Sequence, residues 1–77
     1  MNCEKQFLIR KIVKSTKTKD GEGLLDWWRT KINLFLPSSQ RVMGNRELAQ
    51  IFKKFIKQGM LKREVVGRWT YYLRGVK

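Results

Sequence analysis

A chain of 77 residues has room for one domain, residues 1–77, and one small core. Its 42% apolar and 12% aromatic content is enough to pack that core and too high for a disordered basic tail. Eighteen Lys and Arg against six Asp and Glu leave a net charge of +12, which costs stability through self-repulsion unless a polyanion relieves it.

Cys3 is the single cysteine and histidine is absent, so neither an internal disulfide nor a Cys/His zinc site can be assembled, and no cofactor or metal is expected. No apolar run approaches the roughly 20 residues of a membrane span. The N-terminus carries neither a signal-peptide pattern nor the Gly needed for myristoylation. The expectation is a soluble intracellular protein of cytoplasm, nucleoid or nucleus.

From Glu4 to Lys14, Leu8, Ile9, Ile12 and Val13 recur at helical spacing with Arg10, Lys11 and Lys14 opposite, and Phe7 falls off that stripe. A first helix is expected, with a short edge strand as the competitor. Residues 15–23 contain two glycines and no apolar side chain, which predicts a flexible loop carrying Lys17 and Lys19. Between Leu24 and Leu36, a second helix gathers Leu24, Leu25, Trp28, Ile32 and Phe35 on one side, and Pro37 stops it. Trp27 and Leu34 widen its apolar arc beyond a single core-facing stripe. They are the candidate patch for a protein partner or a homodimer, with a core closed by the first helix as the competing explanation.

Ser38 and Ser39 are placed to cap a short turn through Gln40 to Met43, Gly44 suits its exit, and Asn45 is a good N-cap for the next helix, residues 45–58. That helix has the cleanest periodicity. Leu48, Ile51, Phe52, Phe55 and Ile56 share one face, Arg46, Gln50, Lys53, Lys54 and Lys57 the other, and Gly59 ends it. Residues 60–74 then read as two strands, Met60 to Val66 and Trp69 to Arg74, joined by the Gly67-Arg68 pair of a tight hairpin. Tyr71 and Tyr72 must point to opposite faces, leaving one exposed. The fold class expected is α+β, with three helices and a C-terminal β-hairpin.

The order helix, helix, short turn, basic helix, basic-tipped hairpin resembles the winged-helix superfamily. The carrying residues are Arg46-Glu47-Leu48-Ala49, Gln58-Gly59-Met60-Leu61-Lys62-Arg63 and Tyr71-Tyr72-Leu73, about half the chain. The resemblance implies that the third helix enters a DNA major groove and the hairpin acts as a wing. Carried over by position, Arg46, Gln50, Lys53, Lys54 and Lys57 would face nucleic acid, and Lys62, Arg63 and Arg68 would be wing contacts. Long cationic side chains reach phosphates from a distance, Arg also binds guanine with two donors, and Gln50 is the uncharged candidate for a base edge. Trp69, beside Arg68, is a candidate for stacking on a base or sugar, against the plainer alternative of cross-strand packing on Val66.

A second stretch, Gly21-Glu22-Gly23-Leu24-Leu25-Asp26-Trp27-Trp28, resembles the DEP domain, a winged-helix variant that docks to membranes and receptors. That resemblance would make the same lysines contacts for anionic lipid or an acidic protein. Asp20, Glu22 and Asp26 are the one carboxylate set with a magnesium-like look, and with no arranged nucleophile no enzyme is expected. The leading expectation is a nucleic-acid-binding regulator or accessory factor, DNA ahead of RNA. The alternatives are DEP-like docking and an RNA-bound structural subunit of a larger particle.

Overall fold

The computed structural model describes residues 3–19 and 21–75. Three helices, α1 (Cys3–Ser15), α2 (Leu25–Phe35) and α3 (Asn45–Lys57), precede an antiparallel hairpin of β1 (Leu61–Val66) and β2 (Trp69–Arg74). A single 3₁₀ turn, Ser38–Gln40, lies between α2 and α3. The fold is a small α+β domain, and its element order is compatible with a winged-helix-like arrangement.

Each helix contributes its predicted stripe to one core. Ile9 and Val13 come from α1, Trp28 and Ile32 from α2, and Leu48, Ile51, Phe52 and Phe55 from α3. Met60, Leu61 and Tyr72 close it from the hairpin. Each such side chain removed from water contributes about 1.5–3 kcal/mol, so a core this small depends on every member. Phe7 stays exposed, as its position off the α1 stripe predicts.

The second helix corrects one expectation. Phe35 is 69% exposed rather than in the core. The chain leaves α2 at Leu36, whose backbone is extended, and Leu36 with Val42 fills that end of the core instead. Val42 is fixed by Asn33, whose Nδ2 donates to the Val42 carbonyl at 2.9 Å while its Oδ1 accepts the Val42 N–H at 2.8 Å. The side chain thereby imitates a neighbouring strand. Asn33→Ala leaves both backbone groups of a buried residue without these partners, and about 2 kcal/mol of stability is expected to be lost, read as a lower urea midpoint at unchanged m-value.

The capping predictions also change. Neither Ser38 nor Ser39 caps the short turn, which Pro37 precedes. Asn45 lies inside α3, after Gly44, and its Nδ2 donates to Asp26 Oδ1 at 2.8 Å, tying α3 to the start of α2. Glu47 supplies the cap-like contact, accepting the Met43 N–H at 3.4 Å. At the other end α3 stops as predicted. Gly59, at φ +80°, lets its own N–H reach the Ile56 carbonyl and the Met60 N–H reach the Phe55 carbonyl, the double closure of a Schellman motif with Met60 buried against the helix end.

The hairpin turns at Gly67, with φ +61°, while Arg68 keeps a negative φ, the pattern of a type II′ turn. Its register runs from Leu61 opposite Arg74 to Val66 opposite Trp69. One face therefore carries Leu61, Arg63 and Val65 with Arg74, Tyr72 and Thr70; the other carries Lys62, Glu64 and Val66 with Leu73, Tyr71 and Trp69. The first face is turned to the helices, since the Tyr72 ring lies 5.4 Å from Phe52. Tyr72 is buried and Tyr71 is the more open of the two.

The outer edge of β2 is capped at Tyr72. The Tyr72 N–H donates to the Gly23 carbonyl at 2.8 Å, and the Tyr72 carbonyl accepts Trp28 Nε1 at 2.7 Å. The loop 15–23, predicted to be flexible, is thus pinned at its end: Gly23 pairs with β2, and the Glu22 carboxylate accepts the Lys19 N–H. Arg74 reaches back to the Lys14 carbonyl at 2.6 Å, supplying a cation at the α1 C-terminus.

Candidate nucleic-acid interface

The surface of α3 follows from its periodicity. Because Leu48, Ile51, Phe52 and Phe55 point inward, Arg46, Gln50, Lys53 and Lys57 fall on the diametrically opposite line, and all four are exposed. At 1.5 Å per residue the line from Arg46 to Lys57 is about 16 Å long. It contains three cations, one amide and no acid.

Lys54 and Glu47 lie one flank away, seven residues apart on a shared line. Glu47 is held by Lys5 of α1 at 2.7 Å, and the same Nζ donates to the Arg41 carbonyl at 3.1 Å. The acid nearest the cationic line is therefore neutralised by a tether between α1 and the start of α3. Lys53 and Lys57 are exposed on the open side.

The hairpin separates residues that adjacent numbering suggested would act together. Arg63 stands on the face turned to the helices and is exposed, whereas Lys62 stands on the outer face with Glu64. Strand parity sends the two side chains out from opposite faces of the sheet. Arg68 is at the exposed turn. Trp69 pairs with Val66 on the outer face, and each is about half exposed, at 54% and 53%. The two side chains are thus cross-strand neighbours that both remain half open to solvent. Of the candidate wing contacts, Arg63 is on the hairpin face turned to the helices and Arg68 is at the turn, while Lys62 and Trp69 are on the outer face.

The patch expected at Trp27 and Leu34 is redistributed. Trp27 is partly buried, packed edge-on against Trp28 at 5.0 Å with Lys31 Nζ 5.7 Å from its ring centre. Leu34, at 70% exposed, has Phe35 beside it, so the open apolar surface of α2 belongs to its last turn. Sequence periodicity points to Leu34 and assigns Phe35 to the core, because Phe35 keeps the helical spacing of Trp28 and Ile32.

Of the carboxylates, Asp20 lies outside the described residues. Asp26 is bonded to Asn45 and Arg29, and Glu22 to the loop backbone. Among the described residues no group of three or more Cys, Asp or Glu side chains is placed to hold a metal ion. Among them, too, no helix is long and apolar enough to cross a membrane. Comparison with family models, with curated proteins and with solved structures finds no match to this chain.

Proposed function

We propose that this chain is a winged-helix-type DNA-binding protein that inserts α3 into a duplex major groove and rests the hairpin tip on the flanking backbone. The observation that carries the reading is the acid-free line Arg46, Gln50, Lys53, Lys57, set opposite the core with Glu47 drawn off by Lys5. A major groove about 12 Å wide admits a helix, and cations along its exposed line then lie among phosphates on both sides. Arg63 and Arg68 extend the positive surface along the hairpin. Gln50, at the centre of the line, is the side chain for base contact, with an adenine edge as its natural partner.

A salt titration of duplex binding tests it. Five phosphate contacts, from Arg46, Lys53, Lys57, Arg63 and Arg68, predict a slope of about −4.5 in log affinity against log salt. Absence of binding at low salt removes the reading. Tighter binding to anionic vesicles than to duplex would transfer the same cations to membrane docking, and preference for structured RNA to a particle subunit.

A further inference from the structure

We infer that the free edge of β1 is a self-complementary docking strand, through which two copies of this chain pair antiparallel about a two-fold axis at Arg63. The two edges of the sheet differ at their middle residues, Tyr72 and Arg63. Tyr72 directs its N–H to Gly23 and its carbonyl to the Trp28 indole, so both groups point away from β1. Arg63 and Tyr72 are therefore a non-hydrogen-bonded pair, and Leu61, Arg63 and Val65 direct their own N–H and carbonyl groups outward, to the opposite edge. Among the described residues no hydrogen bond covers those groups at Arg63 and Val65, and residues 62–66 are all exposed.

An edge of this kind pairs with another strand unless something prevents it, and charged side chains are the usual guard. Here the charges alternate in sign. With the axis at Arg63, Lys62 of one copy falls opposite Glu64 of the other, twice by symmetry, and Leu61 falls opposite Val65. Moving the axis to Glu64 would set two carboxylates against each other, and moving it to Val65 would set Lys62 opposite Arg68. Of these three registers, charge favours the one centred on Arg63. Its unfavourable element is the Arg63 pair on the axis.

That pair has a consequence for geometry. A two-fold perpendicular to the sheet keeps like faces on one side, so both α3 helices and both Arg63 side chains would lie on the same side of a four-stranded sheet. Arg63 and Val65 are exposed on that face, so no helix covers the strand at the axis. The strand pairing does not depend on nucleic acid; a duplex spanning both copies would add relief of the Arg63 repulsion.

Sedimentation equilibrium of the full chain at moderate salt, with no nucleic acid present, tests the pairing. Net charge and pairing make opposite forecasts for one variant. Lys62→Glu lowers the positive charge of each copy, which by general repulsion would tighten the dimer, yet it sets Glu against Glu64 twice and is expected to weaken it at least about tenfold. Glu64→Lys weakens it as well, and Lys62→Glu with Glu64→Lys restores it to within about threefold, since the pairs re-form with signs exchanged. Arg63→Gln is expected to strengthen it. Thermal unfolding by circular dichroism checks that each variant folds. A wild-type chain that stays monomeric to about 1 mM, a dimer tightened by Lys62→Glu, or a double variant no better than Glu64→Lys alone overturns the inference. None of these outcomes depends on duplex affinity, so the nucleic-acid reading stands or falls separately.

Discussion

Trp28→Ala is expected to leave the chain without a cooperative unfolding transition at 37 °C. The indole is fully buried, with its ring edge-on to Trp27 at 5.0 Å and to Phe52 at 5.6 Å. Truncating such a side chain costs about 3–5 kcal/mol. The Tyr72 carbonyl also loses the donor held at 2.7 Å, a further cost of about 1–3 kcal/mol. At the usual 0.05–0.15 kcal/mol per residue, a chain of 77 residues has a total stability of about 4–12 kcal/mol. The loss is comparable with the whole. Trp28→Phe separates the contributions, keeping an aromatic ring and removing the donor. A smaller fall in urea midpoint is expected for it, together with faster amide exchange at the outward backbone of β2, because the indole fastens the hairpin to α2. An unchanged midpoint for Trp28→Phe would mean that the hydrogen bond contributes nothing net.

How much of this architecture the sequence discloses depends on whether a residue's surroundings are local or brought from far along the chain. The α3 stripe is legible because its apolar and cationic positions both keep a 3.6-residue period over the whole helix, and Gly59 marks its end. Gly67-Arg68 likewise announces the hairpin. The inward tyrosine is not legible, since Tyr71 and Tyr72 are chemically equal at neighbouring positions. The choice is made by the Phe52 ring and the Trp28 indole, 20 and 44 residues away. Phe35 fits the helical period as well as any core residue does, and stays outside because Leu36 and Val42 occupy that end of the core. Val42 itself is placed by the Asn33 clamp, which has no periodic signature. At the candidate interface, the exposed line of α3 is legible from spacing. The division of Lys62 from Arg63 needs the hairpin register to assign faces.

Replacing Arg46, Lys53 and Lys57 together by Gln is the substitution that bears most directly on function. Every phosphate that a cation no longer neutralises takes about 0.9 off the salt slope, so the triple variant's slope should be shallower by about 2.7. If the affinities converge near 1 M salt, where the counterion contribution vanishes, the loss at 0.1 M is about 500-fold. Stability should change little, because all three side chains are exposed and opposite the core. A net-charge explanation predicts the same loss for any three cations. The comparison is therefore a second triple variant, Arg10→Gln, Lys11→Gln and Lys14→Gln, which removes equal charge from the exposed side of α1. Long-range attraction is screened within about 10 Å at 0.1 M salt, so cations that do not touch the duplex contribute only weakly, and a loss below about fivefold is expected for the α1 variant. Equal losses in the two variants would show that the chain binds by overall charge, and α3 would then have no privileged role. Gln50→Ala in the wild-type background completes the series: a contact to a base edge predicts a loss of about 1–3 kcal/mol on the preferred sequence alone, with the salt slope unchanged.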